Sequence, residues 1–245
     1  MRLGSLAWLL LLGMLVGCGK PASYEDGLKA LNAGDIHAAY RIFQGLPADS
    51  RAITHQAIAH LKGRGANRDE EEAAELFQKA ARMGNARAQF ILSTLYERGI
   101  GLPKDRDQQI HWLTKAASQG NTSAQIKLGS EYESNYENGG SRDNLTIADY
   151  WYAKAYEYGD ASSLTFLTGL YIRYSDLRSP ENVRNYYVWT YLNNAIKPND
   201  NTRAMLESVE EELASRPPQE LREAKNLALA QLARFGSKPP PKDDE

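Results

Sequence analysis

The sequence predicts an all-α protein built as a solenoid, in which short helix pairs stack side by side. One observation is recurrence: the segment 77–85 is matched by the segments 113–121 and 152–160, each ending in a glycine followed by Asn or Asp. A second is periodicity, because the apolar residues of the first of these helices fall at i, i+3, i+4, i+7 and i+8, namely Ala73, Leu76, Phe77, Ala80 and Ala81. One such pair cannot bury both of its faces, so several pairs must stack.

The start of the chain carries the features of a bacterial lipoprotein signal. Arg2 precedes an apolar run, Leu3–Val16, which is shorter than the roughly 20 residues that a membrane-spanning helix needs. The run leads into Leu15-Val16-Gly17-Cys18, which resembles the lipobox of bacterial lipoproteins, and Cys18 is the only cysteine. We therefore expect residues 1–17 to be a lipoprotein signal peptide; an ordinary signal peptide or a short anchor helix is the alternative.

The lipobox resemblance implies a lipid anchor. Cleavage would leave Cys18 at the N-terminus with a diacylglyceryl thioether and an amide-linked acyl chain. Several chains hold firmly, because each buried methylene contributes about 0.8 kcal/mol. In this family an Asp after the cysteine commonly retains the protein in the inner membrane, whereas this chain has Gly19. Residues 18–23 are thus expected to be the acylated cysteine and a linker, on the periplasmic face of the outer membrane.

The rest of the chain divides into helix pairs. Gly84 and Asn85 are predicted to end the second helix of the first regular pair, since both residue types tolerate left-handed backbone. The expected boundaries are 24–47 for a degenerate N-terminal helix pair, 48–85, 86–121 and 122–160 for three repeats, 161–197 for a degenerate fourth repeat, 198–236 for two capping helices separated by Pro217-Pro218, and 237–245 for a disordered tail.

The stretch from Tyr132 to Trp151 in the third repeat is longer than the equivalent stretch from Tyr96 to Trp112 in the second. The extra residues lie in the segment Ser134–Arg142, which contains two glycines. Insertions in solenoids go to loops, often on a binding side. The segment is therefore predicted to be a loop, either a tolerated surface insertion or a binding loop.

These units resemble the Sel1-like repeat, a relative of the tetratricopeptide repeat with a slightly longer period. Trp112, Trp151 and Trp189 occupy the aromatic position of its second helix, and Leu76 stands there in the first repeat. The resemblance covers roughly residues 50 to 235. It implies a right-handed α-solenoid that acts by binding another protein.

Composition and motifs exclude several functions. The 29 basic and 31 acidic residues give no strong field, which argues against nucleic acid as a partner. His55 and His60 are spaced so that a helix points them apart, and no metal-binding, nucleophile or phosphate-binding motif is present. We expect no metal, no cofactor, no small-molecule substrate and no enzymatic activity.

In tetratricopeptide-like solenoids the first helices line the concave side, and this mapping predicts the binding groove. It places Thr54, Ile58, Phe90, Thr94, Arg98, Ile126, Ser130 and Thr165 inward. Phe90, Ile126 and Arg98 are the strongest candidates, because an exposed apolar group beside an arginine is typical of interface hot spots. The alternative is that Phe90 and Ile126 pack between repeats.

Three functional hypotheses remain open. The first is an envelope scaffold, since Sel1-like lipoproteins are found as assembly or stabilising factors of periplasmic and outer-membrane complexes. The second is an immunity protein that neutralises a toxin delivered to the periplasm, as some small Sel1-like lipoproteins do. The third, an envelope enzyme, would need a clustered acid and base, and the sequence shows none.

Overall fold

The computed structural model describes residues 22–174 and 179–235. Within these two ranges the chain forms twelve α-helices and no strand, which confirms the predicted all-α solenoid class. The predicted signal peptide 1–17, Cys18 and the tail 237–245 lie outside the described residues. The helices are α1 Tyr24–Asn32, α2 Ile36–Gln44, α3 Ser50–Lys62, α4 Glu70–Arg82, α5 Ala86–Arg98, α6 Arg106–Ser118, α7 Thr122–Glu137, α8 Asp143–Glu157, α9 Ser163–Tyr174, α10 Pro180–Ile196, α11 Asp200–Ala214 and α12 Pro218–Leu232.

The regular helices begin where the sequence supplies a capping side chain. The residue before each of the helices α3 to α7 accepts a hydrogen bond from a backbone N–H of the first turn. The capping residues are Asp49, Asp69, Asn85, Asp105 and Asn121. In α4 the cap is followed by three glutamates, whose charge complements the positive end of the helix dipole. The helix starts are therefore encoded locally.

Two residues, Gly84 and Asn85, lie in the turn between α4 and α5. Gly84 has a φ of +95°, in the left-handed region that the sequence predicted. The prediction that Asn85 also adopts a left-handed conformation is wrong, because its φ is −66°. Its side chain accepts a hydrogen bond from the Ala88 N–H at 2.7 Å, so it begins α5 rather than ending α4.

Each regular helix packs mainly against its neighbours in sequence, as a solenoid requires. The helices of a pair are in contact (α3 with α4, α5 with α6, α7 with α8), and so are successive pairs through α4–α5, α6–α7 and α8–α9. Phe77 and Leu113 are fully buried at equivalent positions of α4 and α6. The alanines of the predicted stripe, Ala73, Ala80 and Ala81, are buried as well, and their small side chains let the helices approach closely.

The C-terminal helices close the stack differently. α10 contacts both α11 and α12, and the predicted break at Pro217-Pro218 lies between the last two helices. Ala224 and Ala228 of α12 are fully buried. The Tyr156 hydroxyl of α8 donates a hydrogen bond to the Gln231 carbonyl oxygen at 2.8 Å, which ties α12 back onto the third repeat.

The insertion of the third repeat is only partly a loop. α7 runs on to Glu137, so the prediction of a loop over all of Ser134–Arg142 is wrong for its first four residues. The added helical turn has partners on α9: Tyr136 meets the Tyr174 ring edge-on, with centroids 5.5 Å apart, and Tyr174 donates a hydrogen bond to Glu137. These contacts stabilise the extra turn.

Candidate functional site

The first helices of successive repeats form one continuous surface. We call the partly exposed residues of α3, α5, α7 and α9 the first-helix face. The Lys127 ammonium of α7 bonds to the Glu97 carboxylate of α5 at 2.6 Å. Arg173 of α9 bonds in the same way to Glu133 of α7. Side chains thus join α5, α7 and α9 directly, although each of these helices packs mainly against its neighbours in sequence.

Two of the predicted groove residues contribute apolar surface to the joints between repeats. Phe90 is partly buried and packs against the core cluster that contains Leu113 and Leu128. Ile126 is also partly buried, and it packs against the next cluster along the chain, which contains Tyr152. Each side chain therefore fills a joint between repeats and still shows part of its surface on the first-helix face.

Three more of the predicted residues, Thr94, Arg98 and Ser130, differ in how freely they could contact a partner. Arg98 is exposed at the end of α5. Thr94 donates a hydrogen bond to the Phe90 carbonyl oxygen at 3.3 Å, so its hydroxyl is used within the helix. The Ser130 hydroxyl lies 3.1 Å from that of Tyr152. Of these three, Arg98 has the most accessible polar group. The prediction that Thr54 lines the groove is wrong, because its side chain is buried.

Carboxylates on α7 are held by groups on neighbouring helices. Glu131 accepts hydrogen bonds from Gln109 at 2.9 Å and from Arg106 at 2.6 Å. Glu133 is buried and accepts from Tyr152 at 2.9 Å and from Arg173. Burial raises the pKa of the Tyr152 phenol well above its usual range, so it remains protonated and donates. These acidic side chains tie repeats together.

A cleft of about 350 Å³ opens at the N-terminal end of the solenoid, between α2 and α3. We call it the N-terminal cleft. Its lining residues are Leu31, Gly34, Ile36, Ala39, Tyr40, Phe43, His55, Ile58, Ala59, Lys62, Arg64 and Arg87. The lining is mostly apolar, it includes three cationic side chains, and it contains no acidic residue.

Aromatic stacking and hydrogen bonds fix the inner wall of the cleft. The His55 ring stacks on Phe43 with centroids 4.7 Å apart, and its Nε2 lies 3.2 Å from the Tyr24 hydroxyl. Burial, together with the nearby Arg87 charge, lowers the pKa of His55 to about 4. The imidazole is therefore neutral at pH 7, and the positive charge of the cleft comes from Lys62, Arg64 and Arg87.

Sequence reasoning missed the N-terminal cleft because its residues come from four separate stretches of the chain. In the sequence, His55 drew attention only as a candidate metal ligand. A signal was present in the departures from the repeat: Arg87 corresponds to Ser123 in the next unit, and Arg64 corresponds to Ile100. Charges that appear in one repeat alone are candidates for function.

In residues 22–174 and 179–235, no group of three or more His, Cys, Asp or Glu side chains is arranged to hold a metal ion. Over the same described ranges, none of the helices combines the length and the apolar character that crossing a bilayer requires.

The stacked helix pairs and the first-helix face define an α-solenoid repeat protein. The Sel1 repeat family profile matches residues 57–85, 86–121 and 122–160. The chain therefore contains three Sel1 repeats, as its residues suggested. Sel1 repeats mediate protein–protein interactions, which makes this fold a protein-interaction scaffold.

A solved structure agrees with this assignment. The chain is similar to a Sel1 repeat protein from Oxalobacter formigenes, with 26% identity and a TM-score of 0.60 over 86% of this chain and 84% of that one. A protective antigen present in uropathogenic Escherichia coli strains, which displays an SLR fold, gives 19% identity and a TM-score of 0.41 over 86% and 54% of the two chains. No curated protein matches the chain.

Proposed function

We propose that this protein is a non-catalytic scaffold, anchored by lipid at Cys18 to the periplasmic face of the outer membrane, that binds a protein of a cell-envelope complex. The observation that carries the scaffold role is the stack of Sel1 repeats with its continuous first-helix face. The lipobox-like Leu15–Cys18 and Gly19 support the anchor and its membrane. The immunity role is the competing outcome, and the identity of the partner separates the two.

Site-specific crosslinking tests the scaffold role. A photo-crosslinking amino acid replaces Arg98, which is exposed on α5, in the full chain expressed in its own host. The matched control replaces Lys79, an exposed basic residue on the second helix α4. We expect a discrete protein adduct from position 98 and none from position 79. If the crosslinked protein is a component of an envelope complex, the scaffold role is supported. If it is a secreted toxin, the immunity role takes its place. Equal yields at both positions, or no adduct, contradict the first-helix face as the binding surface.

Metabolic labelling tests the anchor. A clickable palmitate analogue should label the wild-type chain and leave Cys18→Ala unlabelled, because the sulfur is the proposed acceptor. Gly19→Asp should keep the label and move the protein to the inner-membrane fraction. Unlabelled wild-type protein would remove the anchor from the proposal, and outer-membrane retention of Gly19→Asp would remove the sorting argument.

A further inference from the structure

The N-terminal cleft has the size and lining of a recognition site. Its volume of about 350 Å³ falls within the range of about 300–1,000 Å³ that is usual for ligand sites, at the small end. The apolar part of its wall includes Ile36, Phe43 and Ile58. An apolar side chain that is buried against such a wall is removed from water, which stabilises the complex. The cleft is therefore suited to one or two apolar side chains rather than to a large ligand.

The charge around the cleft is uncompensated. Lys62, Arg64 and Arg87 form no ion pair with any residue that the structure describes. Two cations farther along the solenoid differ in this respect, because Arg106 and Lys127 each bond to a carboxylate at 2.6 Å. The positive charge thus collects beside the apolar wall, and the complementary occupant carries negative charge.

The wall behind this charge is already ordered. The Tyr40 hydroxyl lies 2.8 Å from His60 Nε2 and accepts a hydrogen bond from Gln44 at 3.0 Å. Gly65, with a φ of +88°, packs so closely on α2 that a Cβ there would lie 3.0 Å from the Ile36 carbonyl oxygen. An ordered wall reduces the entropy that binding would otherwise lose.

The cleft is continuous with the first-helix face. Ile58 on α3 and Arg87 on α5 line the cleft, and both helices contribute to that face. A partner chain that follows the face toward α3 would therefore reach the cleft with its side chains. This step rests on the proposed scaffold function, in which the occupant is part of a protein.

We propose that the N-terminal cleft binds a segment of the partner protein that places an apolar or aromatic side chain next to one or more carboxylates. The apolar group lies against Ile36, Phe43 and Ile58, and the carboxylates bond to Arg64 and Arg87. Lys62 adds a third positive charge. Arginine suits this role because its planar fork bonds to a carboxylate through two parallel hydrogen bonds.

Peptide selection tests the proposal. A random phage-displayed peptide library is selected on the full chain purified in detergent, and the enriched peptides are measured by fluorescence anisotropy. We expect enrichment of an aromatic or aliphatic residue beside Asp or Glu. Reversing the charge with Arg64→Glu and Arg87→Glu should weaken these peptides by about tenfold or more. The control, Lys79→Glu with Arg82→Glu, reverses two exposed charges on α4 and should leave affinity unchanged.

The other outcomes are separable. Enriched peptides without acidic residues, peptides that bind the reversed variant equally well, or no enrichment overturn the cleft proposal. If adducts at position 98 persist in any of these cases, the scaffold role still stands. If the adducts are also absent, the first-helix face fails as the binding surface as well. Short-chain phosphatidylglycerol is tested as a competitor. If it displaces every enriched peptide at concentrations far below those at which the peptides bind, the cleft is assigned to an anionic lipid instead. Unchanged thermal unfolding shows that the reversed variant is folded.

Discussion

The carboxyl group of Asp149 offers the sharpest test of the packing between the third and fourth repeats. Asp149 lies on α8, and its Oδ1 is buried without a hydrogen-bond partner in the part of the chain that the structure describes. Its environment raises the pKa from 3.8 to about 6, because burial disfavours the charged form more than a hydrogen bond from Tyr171 on α9 supports it. At neutral pH the folded protein therefore holds a poorly solvated charge.

The size and sign of the effect follow from linkage. In the window from about pH 4 to about pH 6 the folded protein keeps the Asp149 proton that the unfolded chain has already lost, so stability falls as the pH rises. The full penalty is present above the folded-state pKa and amounts to about 3 kcal/mol, since each pH unit of difference contributes about 1.4 kcal/mol. Asp149→Asn removes the charge and keeps an acceptor for Tyr171. It should be more stable than the wild type at pH 7, and its advantage should shrink toward pH 4.

Urea unfolding of both proteins, followed by far-UV circular dichroism across this pH range, measures the difference directly. Other titrating groups cancel in that difference. Hydrogen exchange of the α8 and α9 amides localises the effect, because repeats of a solenoid can unfold in steps. Asp107→Asn, on the exposed first turn of α6, controls for the loss of one negative charge. A difference between wild type and Asp149→Asn that stays constant from about pH 4 to about pH 7 would refute the reasoning.

Two further predictions concern the joints of the stack. Gly101→Ala should destabilise the protein by more than about 3 kcal/mol or prevent folding, because the new Cβ would lie 1.9 Å from the Glu70 carbonyl oxygen at a φ of +69°. Gly84→Ala is the control: its Cβ would point into open space at a φ of +95°, so it should lose only about 1 kcal/mol. Equal losses of stability in thermal unfolding would contradict this prediction. Tyr152→Phe should lower the free energy of unfolding by about 1–3 kcal/mol, because the buried Glu133 loses a hydrogen-bond donor. The control is Tyr150→Phe, on the exposed side of α8. Matching urea midpoints for the two variants would argue against the role of the Tyr152 hydroxyl.

Much of the fold could be predicted because its determinants are local. The alanine stripe of α4, the recurring glycines and the break at Pro217-Pro218 each act within a few residues, and the structure places them as expected. The extension of α7 could not be predicted in the same way. Its last turn is supported by Tyr174, a residue of the next repeat, and composition alone favoured a loop because Gly139 and Gly140 follow.

The candidate site was harder to predict than the fold. Helical position identified Phe90 and Ile126 as facing inward, yet both also fill joints between repeats, and periodicity does not separate these two roles. The N-terminal cleft depends on α2, α3 and the start of α5 meeting in space. Only the comparison of aligned repeats, in which Arg64 and Arg87 stand out, carried a trace of it in the sequence.

The charged groups of α7 and those of the N-terminal cleft differ in whether they are paired. Toward α9 the carboxylates of α7 are held by Arg106, Arg173 and Tyr152, so that part of the first-helix face serves the stack itself. In the N-terminal cleft, Lys62, Arg64 and Arg87 form no ion pair with any described residue. If Cys18 carries the anchor, the six residues from it to Tyr24 reach at most roughly 20 Å, which holds the cleft end near the bilayer. A partner that occupies the cleft must then present its acidic, apolar segment close to the membrane surface, which favours a membrane-embedded or membrane-bound partner over one that diffuses through the periplasm.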